Sequence, residues 1–200
     1  FLGRPIIAHV VERVQLAVPP DRIVLLTSRE PSDDPLAVYV ERQLGIAIYR
    51  GELENVFARF QGCLRENSCD WFARICADSP VIDGGLIGHM IGLVSDDFDI
   101  VTNVSTRTFP PGQSVELMRT APFLSMDSQT LTKEDQAHVT LPYYREASPY
   151  RMLKVVSSMP SLAHTPMVVD SIEDLATLES LAANSPAPAI RYASLATIQK

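Results

Sequence analysis

Apolar residues recur along the chain with two alternating spacings, one typical of helices and one typical of buried strands. Between Pro5 and Val18 they stand three or four residues apart, which predicts a helix that ends at Pro19-Pro20. Short apolar or β-branched runs separate this helix from three later ones. Helices are predicted at 5–18, 34–44, 54–66 and 82–94, and strands at 22–26, 46–49, 71–75 and 99–102. Such alternation is typical of a mostly parallel sheet with helices on both faces.

The alternation changes after Asn103. The remaining chain is predicted to form a loop at 107–113, strands at 114–118, 151–156 and 166–169, and helices at 121–128, 133–144 and 171–183. Ser171 and Asp174 have the spacing of a capping box at the start of the last helix. The expected fold class is therefore α/β, a three-layer and mostly parallel sheet. We expect a single domain over residues 1–183 and an irregular tail over 184–200.

Composition narrows the possible functions. The chain has 200 residues, 46% apolar and 20% charged, which is ordinary for one globular domain. No apolar run approaches the roughly 20 residues of a membrane span, and no signal-peptide pattern is evident. The net charge of -7 argues against a nucleic-acid partner. Because Cys63, Cys69 and Cys76 lack C-x-x-C spacing, we expect reduced thiols of a cytoplasmic protein, without a zinc site or disulfides.

An acidic turn follows the predicted strand at 71–75. Ligands of open α/β sheets collect at the carboxyl ends of strands, and Asp78 stands there on a turn restricted by Pro80. Asp170 follows another predicted strand, and two strand ends of one sheet can meet. The two carboxylates are therefore candidate ligands of one Mg²⁺ ion. The alternative for each aspartate is to cap the helix that begins after it, near Asp83 in the case of Asp78.

Polar residues also follow the predicted strands at 22–26 and 46–49. Helix N-termini attract anions, so a strand end followed by a helix start suits a nucleotide. Arg59 has an alternative interpretation as a surface residue paired with Glu54 or Glu66. The candidates for nucleotide binding are Thr27, Ser28, Arg50, Gly51, Asn55 and Arg59.

Several segments, in this order, resemble the cytidylyltransferases of the spore-coat-polysaccharide type. These are relatives of the enzymes that activate 3-deoxy-manno-octulosonate and sialic acid with CTP. The segments are 2–7 with 9–13, 33–36, 49–51 with 55–59, 77–83, 109–116, 138–140 and 169–175. They cover most of the chain from residue 2 to about 183. The family opens with a strand and a basic loop of the form Q-A-R-x-x-S-x-R-x-P-x-K, which wraps the triphosphate, and the resemblance places both before Phe1.

The resemblance implies an activity and further site residues. The implied reaction is Mg²⁺-dependent transfer of a cytidylyl group from CTP to a sugar or sugar acid, giving a CMP-sugar for surface polysaccharide biosynthesis. Asp78 and Asp170 would hold the metal and act in catalysis. The residues implied to contact the sugar are Arg107, Gln113, Glu116 and His138. Relatives pair through an insertion, here about 109–141, so a homodimer is expected; apolar residues such as Leu117, Phe123 and Leu131 would form its interface.

Two other functions stay open. The first is a glycosyltransferase of similar fold with a metal-binding D-x-D motif, although Asp97-Phe98-Asp99 begins a predicted strand instead of ending one. The second is a non-catalytic binding or assembly protein that kept the fold without the phosphate loop. The sequence upstream of Phe1 distinguishes that second alternative from an enzyme.

Overall fold

Helices and strands alternate through the first half of the chain, as the spacing of apolar residues predicts. The computed structural model describes residues 1–184 and 192–199. The helices are α1 (Ile6–Val14), α2 (Asp34–Tyr39), α3 (Val56–Glu66), α4 (Gly84–Ile91), α5 (Thr120–Ser125), α6 (Lys133–Ala137), α7 (Leu141–Tyr144) and α8 (Ile172–Asn184). The strands are β1 (Val24–Ser28), β2 (Ala47–Gly51), β3 (Trp71–Arg74), β4 (Ile100–Thr102), β5 (Glu116–Arg119), β6 (Met152–Ser157) and β7 (Ala196–Ile198).

The strands of the described residues form two sheets. Strands β1 and β2 pair in parallel, and the second sheet has the order β3-β5-β4-β6-β7. Only the β4–β6 pair of this second sheet is parallel, whereas β3–β5, β4–β5 and β6–β7 are antiparallel. The predicted α/β class is confirmed, but the prediction of a mostly parallel sheet is wrong. The physical cause is β5, which returns after β4 and lies antiparallel between β4 and β3.

Strand β5 belongs to the segment 109–141, which was expected to be an insertion that forms a dimer interface. Leu117 and Phe123 are 3% and 0% exposed, and Leu131 packs against the same core as Phe123. These side chains therefore cover the chain's own sheet and are not available for a partner. The homodimer stays a prediction, without the support that these three residues were expected to give.

Apolar burial explains where the early helices form. Ile7, Val10 and Val11 lie on the buried face of α1, as their spacing predicts. Helix α2 continues as a π-helical turn (Val40–Leu44) and ends at Gly45, whose φ of 63° is the left-handed conformation that favours glycine. Residues of both helices pack on β1 in one cluster, and two further clusters cover the faces of the larger sheet.

Two predicted elements before the tail differ from the structure. The helix predicted at 133–144 is divided into α6 and α7, because Pro142 has no N–H to donate to the His138 carbonyl. The strand predicted at 166–169 is irregular, and its Met167 and Val169 N–H groups donate to loop carbonyls of Pro111 and Asp78 at 3.0 and 2.9 Å. Backbone bonding to two separate loops takes the place of a strand ladder.

The predicted irregular tail over 184–200 is wrong for part of its length. Residues 192–195 form a 3₁₀ turn, and β7 pairs with β6, so this part of the tail completes the edge of the larger sheet. Residues 185–191 and 200 lie outside the described residues. All three cysteines are free. In the described part of the chain, no helix is long and apolar enough to cross a membrane.

A groove of about 870 Å³ separates the two sheets. Among the described residues, β1 pairs only with β2 and β3 pairs only with β5, so both strands turn a free edge toward this groove. Its walls include apolar residues of α1, α3 and α4, whereas Arg59, Arg74 and Asp78 line it as well. The groove therefore connects the carboxyl end of β3 with the start of α3.

Candidate active site

The structure brings Asp78 and Asp170 to the same end of the larger sheet. The Val169 N–H donates to the Asp78 carbonyl at 2.9 Å, which ties the segment before Asp170 to the turn after β3. Burial raises the pKa of the Cys76 thiol, nearby Arg74 lowers it, and the carboxylates of Asp78, Glu116 and Asp170 raise it further. One side chain thus lies within electrostatic reach of both aspartates. The two aspartates come to the same end of the sheet although the strand predicted at 166–169, before Asp170, does not form.

Neither aspartate caps a helix. Asp83 is the N-cap of α4, where its Oδ1 accepts from the Gly85 N–H at 2.8 Å. At the start of α8, the Ser171 N–H donates to Asp174 Oδ2 at 2.9 Å and the Asp174 N–H donates to Ser171 Oγ at 3.1 Å. The predicted capping box is confirmed, and the capping alternative for Asp78 and Asp170 is wrong. Within the described residues, the Asp78 carboxylate accepts only from the Ser79 hydroxyl.

Two carboxylates with free lone pairs fit the donor set of Mg²⁺. This ion commonly uses one or two protein carboxylates and takes its other ligands from substrate phosphates and water. The described residues contain no group of three or more His, Cys, Asp or Glu side chains able to hold a metal. The residues present therefore suit a magnesium site completed by a phosphate ligand, with Asp78 and Asp170 as the protein ligands, and do not suit an all-protein metal cage.

The end of β1 is occupied by internal hydrogen bonds. Asp33 Oδ2 accepts from Thr27 Oγ1 at 2.7 Å, from Ser28 Oγ at 2.6 Å and from the Ser28 N–H at 3.0 Å. These bonds, with the Ser28 hydroxyl first, lower the pKa of Asp33 to about 2. We call Thr27, Ser28 and Asp33 the Asp33 network. Its two hydroxyl groups, both predicted to bind a nucleotide, already have a charged acceptor.

Arg50 and Asn55 are also engaged within the protein. Arg50 donates from Nε to the Ser28 carbonyl at 2.7 Å, from Nη1 to Asp34 at 2.6 Å and from Nη2 to the Glu30 carbonyl at 2.9 Å. Asn55 is the N-cap of α3, and its Oδ1 accepts from the Ala58 N–H at 2.9 Å. Arg50 therefore stabilises the segment after β1, and Asn55 stabilises the first turn of α3, through hydrogen bonds within the protein.

Arg59 differs from these residues because it has a buried donor without an acceptor. Its stem packs on Gly51, where a Cβ would come within 2.9 Å of Arg59 Cγ, so the glycine permits this approach. Arg59 Nε is buried, and no hydrogen-bond partner for it is found in the described part of the chain. Burial lowers the pKa of Arg59, and nearby Asp33 raises it. The alternative ion pair with Glu54 or Glu66 does not form among the described residues.

The four residues implied to contact the sugar have three different environments. Gln113 is 0% exposed; its Oε1 accepts from the Asp83 N–H and its Nε2 donates to the Val81 carbonyl, both at 2.9 Å. These contacts hold the turn before α4, so we leave Gln113 out of the site. Arg107 and His138 are exposed and join no hydrogen bond with Asp78 or Asp170. Glu116 is buried beside Arg74.

Arg74 is the site residue that the sequence analysis missed. It ends β3, and its Nη1 donates to Glu116 Oε2 at 2.7 Å across the β3–β5 pair. Glu116 Oε1 accepts a short hydrogen bond from the Tyr144 hydroxyl. The signal in the sequence that could have indicated Arg74 is a charged residue within the apolar run 71–75, since an arginine in such a run needs a partner or a ligand.

Comparison with known proteins gives the fold. No protein-family model matches the chain, and no curated protein matches it. A cytidylyltransferase from Leptospira borgpetersenii serovar Hardjo-bovis (strain JB197) is 21% identical with a TM-score of 0.85, over 95% of this chain and 80% of that one. A CMP:2-keto-3-deoxy-manno-octonic acid synthetase complexed with CTP is 15% identical with a TM-score of 0.61, over 91% and 89%. The bifunctional IspDF from Campylobacter jejuni is 10% identical with a TM-score of 0.53, over 86% and 46%. The chain therefore shares its fold with a cytidylyltransferase and with a CMP-sugar-acid synthetase, and the resemblance seen in the sequence is confirmed at the level of the fold.

Proposed function

We propose that this protein is an Mg²⁺-dependent cytidylyltransferase that transfers CMP from CTP to a sugar or sugar acid. The observation that carries the proposal is the pair of carboxylates, Asp78 and Asp170. Both lie at the same end of the larger sheet, where the Val169 N–H bonds to the Asp78 carbonyl, and neither caps a helix. The shared fold supports it, because one protein of this fold is a cytidylyltransferase and another was solved with CTP. The product would be a CMP-sugar for surface polysaccharide biosynthesis.

The proposed reaction forms a bond between an acceptor oxygen and the α-phosphorus of CTP and breaks the bond to pyrophosphate, which leaves. Negative charge grows on the phosphate oxygens, so cationic groups are the main catalytic requirement. When bound, Mg²⁺ neutralises this charge and orients the phosphates. Asp78 and Asp170 supply the carboxylates that hold the ion. Arg59 supplies a desolvated N–H donor that has no acceptor in the described protein and suits a phosphate oxygen.

The residues around this site keep it rigid. The Asp33 network holds the end of β1, and Arg50 joins β2 to the same segment through the Ser28 carbonyl. Asn55 fixes the first turn of α3, from which Arg59 projects. A charged donor held on rigid elements loses little entropy when it binds an anion, which favours phosphate recognition.

The glycosyltransferase alternative loses its metal motif. Asp99 accepts from the Arg151 N–H at 2.9 Å and from Arg151 Nε and Nη2 at 3.1 Å, and these contacts lower the pKa of Asp99. A carboxylate bound in this way by arginine is a structural ion pair at the start of β4. The motif Asp97-Phe98-Asp99 therefore does not present two free carboxylates to a metal.

Nucleotide binding tests the proposal most directly. Calorimetry of the full-length protein with Mg²⁺ is expected to show tighter binding of CTP than of ATP or GTP. Arg59→Gln is expected to weaken CTP binding about tenfold, because a hydrogen bond to a charged group contributes about 1.5–3 kcal/mol. Arg65→Gln, an exposed arginine of the same helix, is the matched control and should leave the affinity unchanged. Equal binding of all three nucleotides, or of none, would contradict the proposal and favour the non-catalytic alternative.

A further inference from the structure

Three adjacent strands place a row of polar residues next to the proposed metal site. Arg74 of β3 lies directly opposite Glu116 of β5, and Glu116 lies opposite Thr102 of β4. Tyr144 of α7 reaches into this row from outside the sheet, and its hydroxyl contacts both Glu116 and Thr102. The four side chains form one continuous chain of hydrogen bonds, which we call the Glu116 network.

The donors and acceptors of this network have a fixed order. Glu116 as a carboxylate only accepts, so the Tyr144 hydroxyl donates to it. The Tyr144 oxygen, 2.8 Å from Thr102 Oγ1, then accepts from the Thr102 hydroxyl, which itself accepts from the Val104 N–H. Burial and the charge of Glu116 raise the pKa of Tyr144, which keeps its proton in place. Every donor in the network therefore points toward Glu116.

Exposure distinguishes the two ends of the ion pair. The Glu116 side chain is 2% exposed and the Arg74 side chain is 25% exposed. One Arg74 nitrogen donates to Glu116, and the other N–H groups of the guanidinium have no acceptor among the described residues. The arginine, and not the glutamate, is the group that presents unused hydrogen-bonding capacity to a ligand.

Electrostatics shows what kind of ligand this arginine would meet. The charged groups around the end of β3 include Arg74, its partner Glu116, Asp78 of the turn that follows, and Asp170, whose preceding residue is hydrogen-bonded to that turn. Arg74 is the cation of this set, and a guanidinium donates hydrogen bonds without accepting any. An anionic oxygen that entered here would be repelled by the carboxylates unless a cation received it.

We infer that Arg74 contacts an anionic oxygen of the substrate, and that Glu116 and Tyr144 act as positioning residues that hold Arg74 in place. This inference rests on the proposed function and reverses the role implied for Glu116, which was expected to contact the sugar itself. Two groups carry the required chemistry, the acid group of a sugar-acid acceptor and the α-phosphate of CTP. If Arg74 alone contacts the substrate, changing both residues should have little more effect than changing one. If Glu116 contacts the substrate independently, the two effects should add.

Steady-state kinetics of the full-length protein, with CTP and a panel of sugar acids, tests the inference through three variants. Arg74→Gln and Glu116→Gln are each expected to raise one KM about tenfold, for the acceptor or for CTP, with a smaller change in kcat. The double variant should show little more than either single effect, because Glu116 acts through Arg74. An unchanged KM for both substrates in Arg74→Gln overturns the inference. Additive effects in the double variant overturn it as well, since Glu116 would then contact substrate independently.

Controls separate a binding role from a structural one. Arg74→Lys keeps a cation opposite Glu116 but loses the planar fork, so it should fold normally and recover part of the KM. Arg119→Gln removes the ion pair with Asp96 at the opposite end of the same strand pair and should leave both KM values unchanged. Thermal melts of every variant confirm folding.

Failure of the proposed function is distinguishable from failure of this inference. Wild-type protein that releases no pyrophosphate with any acceptor overturns the proposed function. The inference is then decided by calorimetry with CTP and, separately, with each sugar acid. A dissociation constant for either ligand that rises in Arg74→Gln and not in Arg119→Gln supports it, and unchanged constants for every ligand overturn it.

Discussion

Strands β1 and β3 line the same groove, yet the polar residues at their carboxyl ends are used in opposite ways. At the end of β1, the hydroxyl groups of Thr27 and Ser28 both donate to Asp33, and the Ser28 carbonyl accepts from Arg50. After β3, Asp78 accepts one hydroxyl bond from its own neighbour, and Asp170 accepts none from the described residues. Both regions are polar turns at strand ends, and sequence patterns do not distinguish them.

Free hydrogen-bonding capacity, and not polarity, therefore marks the candidate site. Buried polar groups in proteins are nearly always paired, so an unpaired one indicates a ligand. Among the described residues, the buried side-chain atoms without a partner are Arg59 Nε and the Tyr143 hydroxyl. At the candidate site, the partly exposed Arg74 and Asp78 and the exposed Asp170 also keep free hydrogen-bonding capacity. The paired groups of the β1 end support the site mechanically. Changing Arg59, Arg74, Asp78 or Asp170 is therefore expected to impair function with little loss of stability. Changing the paired groups at the end of β1 is expected to lower stability with little loss of function.

The largest effect is expected at the two aspartates. Asp78→Asn and Asp170→Asn should each reduce turnover at least about 100-fold, since the loss of even an outer partner of a metal ligand costs 10–100-fold. An amide keeps the shape of the side chain but supplies no charge for Mg²⁺. Melting temperatures should stay close to that of the wild type, because neither carboxylate caps a helix. The measurement is pyrophosphate release from full-length protein with CTP and sugar acids, alongside thermal melts.

Asp97→Asn is the matched control for these two variants. Asp97 is exposed and belongs to the D-x-D sequence that a glycosyltransferase would use. Its replacement should leave turnover unchanged. Near-normal turnover in Asp78→Asn would return the acidic turn after β3 to a structural role. A large loss in Asp97→Asn would instead favour the D-x-D motif as the metal site.

The β1 end offers the second prediction, which concerns stability. Asp33→Asn should lower the free energy of unfolding at pH 7 by about 1–2 kcal/mol, because neutral hydrogen bonds replace charge-assisted ones. The pKa of Asp33 in the folded protein is about 2, below the ordinary value of 3.8. Its contribution is therefore complete above about pH 4 to 5 and is lost as the pH falls through 2. Urea denaturation at pH 7, 4 and 2.5 should show the difference between the variant and the wild type shrinking toward acid.

Asp34→Asn provides the comparison for this effect. Asp34 is 57% exposed and pairs with Arg50 at the surface, so its replacement should cost less than about 1 kcal/mol. A loss in Asp33→Asn no larger than in Asp34→Asn, or a loss independent of pH, would show that the Asp33 network does not stabilise the end of β1.

Local patterns were sufficient for the early elements and for one cap. The spacing of Ile7, Val10 and Val11 determines α1 through contacts within one helix, and the Ser171–Asp174 capping box needs only four consecutive residues. The direction of β5 was not predictable in this way. It depends on the pairing of Glu116 with Arg74, 42 residues apart in the sequence, and no local period records such a contact.

The candidate site also combines residues that local sequence patterns indicate with residues whose role depends on contacts distant in the sequence. Asp78 and Asp170 were predicted because a carboxylate after an apolar run is a local signal, although the predicted strand before Asp170 does not form. Arg74 was missed because its role depends on its contact with Glu116, and this contact exists only in the folded chain. The occupation of Thr27 and Ser28 was missed because their acceptor, Asp33, belongs to the next turn.

The smallest effect is expected at Asn55, which the sequence assigned to the nucleotide and the structure assigns to the helix. Asn55→Ala removes the bond to the Ala58 N–H and should cost about 1 kcal/mol, or about 2–4 °C in Tm. Asn55→Ser retains a capping oxygen and should melt close to the wild type. Calorimetry should give the same CTP dissociation constant for both variants as for the wild type. If Asn55→Ala instead weakens CTP binding about tenfold while its Tm is unchanged, Asn55 contacts the nucleotide. A residue that is hydrogen-bonded within the protein would then also bind the ligand, and internal pairing would no longer distinguish structural residues from site residues at the start of α3.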